Sequence, residues 1–583
     1  MAEPVAEDVT TEEAGIIIVG AGLAGLAAGV EAARAGADVL IIDMNSVFGG
    51  HGIQSGGVAI IDSPLQEQLG YLDSPETAFS DWLQWTEDPQ LDWMRYYVEN
   101  SREEIWDFLV PLGVRFDRIA PSHGNSVPRF HMTWRRGLNL VRPLFLEALR
   151  YPNLRFRWNI EALELVVESG IVEGVALREM RTGEHRRFAA DAVILATGGF
   201  QRDPEMVKEH WPTDFPSPER VLTGSGKYSL GLGHRMAAAA GAALVDLNRQ
   251  YNSYNGIPDP RDPGGRLAIG AGNEHAVWVN TNGERFVNPL DYDKEVYRAV
   301  AAQPGGTYWA VFDQSSRETF RVRSADPADR AALTEEVLGN EALVKRADSL
   351  PELAKMMHVP PGRLADAVSE HNALVETGEN DTFGPFAGSE RTASPRPVQT
   401  PPYYAVRFYL TAHKNMGGIA IDLRGQALDA DGVPVPGLYA AGEVTGSAGI
   451  NGNAGLDGTF TGPAILIGRV AGRSAAADTL AARGHAPGEA VMLNSELIAY
   501  EDRDVQGNNP RPAMDESALR SLLQSSRDGY WHFEQVHESV LRRGYACTQC
   551  HSEAMPMRRI TYRQGWRAQA ESCDNCHLGP ELP

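Results

Sequence analysis

Residues 15–43 read GIIIVGAGLAGLAAGVEAARAGADVLIID. Ile16-Ile17-Ile18-Val19 is an unbroken β-branched run, the pattern of a strand covered on both faces in a parallel sheet. Gly20, Gly22 and Gly25 follow at once and open an Ala-rich helix running to about Ala35. Each glycine has a separate task. Gly20 makes the tight turn, Gly22 lets backbone approach a pyrophosphate, and Gly25 lets the helix pack against the strand. The helix start offers free N–H groups and a positive dipole end to phosphate. A second apolar strand then ends at Asp43, placed to accept from a ribose hydroxyl. Strand, glycines, helix, strand and acid in this order specify an α/β, Rossmann-like dinucleotide-binding unit. They leave open which dinucleotide is bound.

Outward from this unit, 583 residues exceed a single hydrophobic core, so several domains are expected. The 43% apolar and 22% charged content is that of a globular chain. The net charge of −24 excludes a generally basic, nucleic-acid-coating surface and predicts repulsion from anionic lipid. It leaves room for a local basic pocket. No apolar run approaches the roughly 18 residues of a transmembrane helix. The opening MAEPVAEDVTTEEAG is acidic and lacks the apolar centre of a signal peptide.

Two further stretches resolve the dinucleotide. Residues 192–199 read AVILATGG, an apolar strand entering a turn at Thr197-Gly198-Gly199, and 437–446 read GLYAAGEVTG, a strand and glycine turn carrying Glu443. With the N-terminal unit they resemble the three FAD-contacting segments of the fumarate reductase/succinate dehydrogenase flavoprotein superfamily. FGGHGIQSGGVAI at 48–60 resembles that family's flavin loop, implicating Gly49, Gly50, Ser55, Gly56 and Gly57. NGERFVN at 282–288 and HKNMGG at 413–418 extend the resemblance over about residues 14–480. HGNSVPRFHMTW at 123–134 and GLDGTF at 455–460 are similar to a ketosteroid dehydrogenase-like group within it. The resemblance implies an FAD domain from 1–250 and 403–490, with an inserted α+β capping domain at 251–402. Charged, Pro-rich stretches near 323–336 and 384–402 fit surface connections of the cap.

The resemblance also implies site residues. FAD would be held by Gly20, Gly22, Gly25, Asp43, Thr197, Gly198, Glu443 and the flavin loop. His51 lies near a position where some members bond covalently to flavin, in a loop one residue shorter here. Fumarate reductases carry a proton-donating arginine after RFVN; here RFVNPLDYDKE has none, and Tyr292 stands where ketosteroid dehydrogenases place a tyrosine base. His413 matches the family's substrate-binding histidine. The second family arginine, a carboxylate clamp, is missing from Asn453–Gly458, which argues against a C4-dicarboxylate. The ketosteroid enzymes' tyrosine at that turn is missing too. Arg129, beside His123, His131 and Arg135, would pair with an anionic substrate group, the cap or a surface acid.

All four cysteines lie in the last 37 residues, as Cys547-Thr548-Gln549-Cys550-His551 and Cys573-Asp574-Asn575-Cys576-His577. Two CxxCH motifs are the attachment pattern of haem c: paired thioethers and proximal ligands His551 and His577. His532 and His537 are the second axial ligands expected, with Met555 and Met557 as alternatives. The rival is zinc in a four-thiolate ribbon. Residues 491–583 would then be a linker and a small module organised by its haems. Haem c implies maturation outside the cytoplasm, hence a periplasmic location and a chain starting after a removed signal; zinc fits a cytoplasmic protein.

The expectation is an FAD oxidoreductase acting on a CH–CH bond beside a carbonyl of a small-molecule substrate. It would exchange electrons through two haems with a cytochrome, quinone-linked protein or dye, with dehydrogenation the favoured direction. The alternative is a cytoplasmic flavin dehydrogenase whose zinc tail docks a partner.

Overall fold

A computed structural model describes residues 12–133, 136–289, 293–323, 327–379, 382–383 and 395–488. These fall into two compact units. One comprises the described residues up to Phe200, Gly226–Arg249 and those from Asn415 on; the other comprises Gln201–Ser225 and Gln250–Lys414.

The first unit is built on a parallel sheet. Its strands lie in the order Pro434–Ala440, His185–Leu195, Glu12–Val19, Val39–Asp43, Leu154–Trp158. The β-branched run behaves as its pattern demands. Ile16 and Ile18 enter the core on one face, Ile17 and Val19 the core on the other, and all are buried. The helix Leu23–Arg34 lies along the long C-terminal helix Thr461–Ala482. Small residues set that spacing: a Cβ on Gly468 would stand 2.4 Å from the Ala24 carbonyl oxygen, and one on Gly472 would stand 2.2 Å from that of Ala28. Gly468 and Gly472 are one helical turn apart, so a narrow groove forms that Ala24 and Ala28 enter.

The second unit is a largely antiparallel sheet, ordered Val277–Val279, Thr307–Asp313, Tyr403–Asn415, Gln250–Pro258, Ala268–Gly272, Arg321–Val322. The helices Leu350–Met357 and Pro361–Thr377 cover part of it through Leu353, Met357, Leu364 and Val368. This α+β unit departs from the expected 251–402. It also takes in 201–225, because Leu222–Thr223 pairs with Thr411–Ala412, and it runs on to Lys414 because Tyr403–Asn415 is one continuous strand of its sheet. The 323–336 stretch is not only a connection: Pro327–Leu338 is a helix, favoured by proline in its first turn and alanine, leucine and glutamate after it. Residues 491–583, with both CxxCH motifs, lie outside the described residues.

Candidate functional site

Register brings the separated motifs of the first unit together. Val19 pairs with Ile42 and with Leu195, and Leu195 pairs with Ala440. The segments leaving the carboxyl ends of these strands are Gly20–Gly25, Asp43, Thr197–Gly198 and Gly442–Glu443. Ligands of open α/β sheets bind along that edge.

At its centre, the turn after Val19 is held by backbone contacts. A Cβ on Gly25 would lie 1.8 Å from the Gly20 carbonyl oxygen, so only glycine fits. Gly22 is the opposite case: a Cβ there would meet nothing within 4 Å, so its surface is open to a ligand. Gly22 caps the helix Leu23–Arg34 without a side-chain hydrogen bond, and no acid occupies the first turn. The leading N–H groups therefore keep their affinity for phosphate. Asp43 accepts from the Ala21 amide at 2.7 Å and the Asn45 amide at 2.6 Å, while burial raises its pKa. The flavin loop docks alongside, with the Gly49 amide donating to the Ala21 carbonyl at 2.9 Å. Ser55 Oγ lies 2.7 Å from Thr461 Oγ1, at the start of the long helix.

Three polar atoms at this edge make no hydrogen bond among the described residues: Thr197 Oγ1, Glu443 Oε1 and Ser447 Oγ, all buried. Such atoms are costly unless a ligand satisfies them. The other oxygen of Glu443 lies 3.7 Å from His51 Nδ1. Beyond Glu443, Gly446, Ser447, Ala448 and Gly449 have φ between 52° and 69°, a left-handed stretch that strains serine and alanine. Asn415 anchors it, its Nδ2 donating at 2.8 Å to the Glu443 carbonyl. A phosphate cradle, an acid at the second strand and unsatisfied buried groups beyond it suit a long, polyhydroxylated nucleotide such as FAD.

Residues 15–461 match the FAD binding domain family. The chain belongs to that family of flavoproteins. This flavoprotein is 32% identical to a KsdD-like steroid dehydrogenase of Mycobacterium tuberculosis, over 79% of the chain and 95% of the relative. It is 31% identical to a fumarate reductase (cytochrome) of Shewanella frigidimarina, over 79% of the chain and 76% of the relative. The solved open form of a flavocytochrome c3 fumarate reductase shares 27% identity, with a TM-score of 0.65 over 80% of this chain and 79% of that one. The flavoprotein is thus an FAD-dependent oxidoreductase of the fumarate reductase/succinate dehydrogenase superfamily, whose relatives act on carbon–carbon bonds.

The expected substrate residues fare differently. Tyr292 and Arg135 lie outside the described residues. His413, near the end of the strand Tyr403–Asn415, has Nδ1 3.0 Å from the Gly224 carbonyl oxygen. A carbonyl only accepts, so Nδ1 carries the hydrogen, which fixes the tautomer. Tyr251 flanks the ring at 6.1 Å.

Arg129 corrects the sequence reading. It is fully buried in the first unit, with Nε and Nη2 on Asp73 at 2.8 and 2.6 Å. Its Nη1 donates to Asp81 at 2.6 Å and to Asn125 at 2.9 Å. A buried guanidinium with four of its five N–H groups on two carboxylates and an amide oxygen fastens the fold, so its role is structural. His131 is buried beside it: Nδ1 is 2.7 Å from the Arg129 carbonyl, Nε2 is 2.6 Å from Ser63 Oγ, and burial lowers its pKa to about 4. His131 lies in the strand Phe130–Thr133, which begins just after Arg129 and is paired with Gly57–Ala59 of the flavin loop. Sequence reasoning missed Thr461, Ser447 and the anchoring Asn415. Asn415 lay inside the quoted HKNMGG motif, whereas Ser55 and Thr461 stand 406 residues apart with no local signal joining them.

Proposed function

We propose that this flavoprotein dehydrogenates a CH–CH bond beside the carbonyl of a ketone-bearing, steroid- or terpene-like substrate, and sends the electrons out through two haems c. One observation carries the reading. At the turn Asn453–Gly458, where a dicarboxylate-binding relative would need an arginine, the chain is closed by buried Ala454 and Leu456. The Leu456 amide is bonded to Asn451 and Thr459 instead of facing a substrate. An apolar turn disfavours a second carboxylate and accepts a hydrocarbon ring. The steroid dehydrogenase relative supports the same direction.

FAD supplies the two-electron acceptor. His413, whose Nδ1–H is held by the Gly224 carbonyl, donates to the substrate carbonyl oxygen from Nε2 in its imidazolium form, as negative charge develops there. Tyr292 takes the proton from the neighbouring carbon, which requires its phenol, ordinarily near pKa 10, to be lowered or relayed to solvent. The haem assignment rests on the two CxxCH motifs.

The test has two parts. An absorption spectrum of protein from an exporting, haem-maturing host, before and after dithionite, should show sharp reduced haem c bands over a bleached flavin. Flavin alone, with zinc by elemental analysis, would remove the haems. Tyr292→Phe should then abolish ketone-dependent dye reduction; unchanged turnover would remove the proposed base.

A further inference from the structure

The turn Asp259–Leu267 in the second unit gathers the guanidinium groups of Arg202, Arg220, Arg261 and Arg266 around two acids, Asp259 and Asp262. Asp262 is the carboxylate at its centre, and its oxygens accept from the backbone amides of Gly264 at 3.0 Å, Arg266 at 2.7 Å and Leu267 at 2.7 Å. Arg220 donates to the Gly265 carbonyl and lies over the Tyr409 ring at 5.3 Å. Arg202 sits close enough to both Asp262 and Arg266 for its charge to interact with theirs. Among the described residues, neither guanidinium has a hydrogen-bonded or ion-paired carboxylate. By contrast Arg261, on the same turn, is paired with Asp259 at 2.8 Å.

Arg202 is half-buried. Burial first, with the adjacent Arg266 charge, lowers its pKa in spite of Asp262. Taking a cation partly out of water beside a like charge is unfavourable, and an incoming anion relieves both costs. In a protein of net charge −24 this local excess of positive charge is not the general surface character.

Its position relates it to His413. The Thr223 amide donates to the Arg266 carbonyl at 2.8 Å, and the Gly224 amide donates to the Ala412 carbonyl at 2.9 Å. Leu222–Thr223 therefore runs between the Arg266–Leu267 segment and the strand bearing His413. Two strand spacings, about 10 Å, separate the backbones. A fused polycyclic skeleton bridges that distance.

We propose that Arg202, Arg220 and Arg266 form a subsite for a carboxylate carried by the substrate at the end remote from the carbonyl held by His413. The substrate class becomes a polycyclic keto acid. The inference rests on the reading of His413 as the carbonyl partner.

The test compares 3-oxoandrost-4-ene-17β-carboxylate with its methyl ester on the FAD-loaded full chain, wild type against R202Q and R266Q. The expected result is that the KM of the acid rises about tenfold or more relative to that of the ester in each variant, with the acid's kcat little changed. Added salt should raise the KM of the acid selectively. Equal losses for acid and ester, or no loss for either, would overturn the subsite. If neither compound is turned over by the wild type, the ketone reading fails separately. Calorimetric titration of the acid then decides the subsite: tighter binding to wild type than to R202Q keeps it, and equal binding leaves only a solvated basic patch.

Discussion

Two arginines in different regions of this molecule show how burial and pairing separate structure from function. Arg129, in the first unit, is wholly buried and meets two carboxylates and an amide oxygen. Arg202, in the second, is half-buried, and Asp262, the acid whose charge reaches it, is already engaged by three backbone amides. Arg129 lies within a family-like motif and Arg202 stands just after one, and the sequence does not show which of them is paired. A fully paired buried cation fastens segments together. An under-paired one at a water-accessible position keeps its capacity for a ligand.

The sharpest way to break this comparison is Arg129→Met. Removing the cation leaves Asp73 buried without its partner and should cost about 3–5 kcal/mol, read as a lower denaturant midpoint. A variant with the wild-type midpoint but no turnover would return Arg129 to the chemistry.

His131 sharpens the same region next. Its pKa is held at about 4 when folded, against 6.5 for the free side chain. The unfolded chain therefore binds the extra proton between these values. His131 imposes no penalty above pH 6.5, and stability falls by about 3 kcal/mol as pH drops from 6.5 towards 4. His131→Gln should flatten that part of a stability–pH profile, and an unchanged slope would assign the acid sensitivity to other groups.

Glycines of the nucleotide turn offer a smaller, paired test. Gly25→Ala forces a Cβ against the Gly20 carbonyl, whereas Gly22→Ala places one in open space. The first should cost the apo-protein about 1–3 kcal/mol. The second should leave apo stability intact and weaken FAD, as seen by cofactor retention on gel filtration. Equal effects on the apo-protein would mean that Gly22 does not face the ligand.

Arg202→Gln comes last in stability. With no paired carboxylate to strand, its effect should stay within about 0.5 kcal/mol. A loss as large as that of Arg129→Met would reveal a structural partnership and erase the contrast.

The sequence carried the nucleotide-binding half clearly because its signals are local. A buried parallel strand shows as Ile16–Val19, the cradle as Gly20, Gly22 and Gly25, and the second strand as Val39–Asp43, all within one βαβ reach. The second unit was less legible. Its boundary depends on Leu222–Thr223 joining a strand nearly 190 residues later, and local pattern does not encode such a pairing.

By itself, then, the sequence determined the strand–glycine–helix unit, the order of the FAD motifs and the CxxCH pairs, since each is a contiguous pattern with its own chemistry. Tertiary structure alone decided which charges are matched. Arg129 finds acids 48 and 56 residues away, Arg202 comes within range of the Arg266 charge, and Ser55 reaches Thr461. Electrostatic and hydrogen-bond satisfaction depend on distance and burial in space, and sequence separation fixes neither.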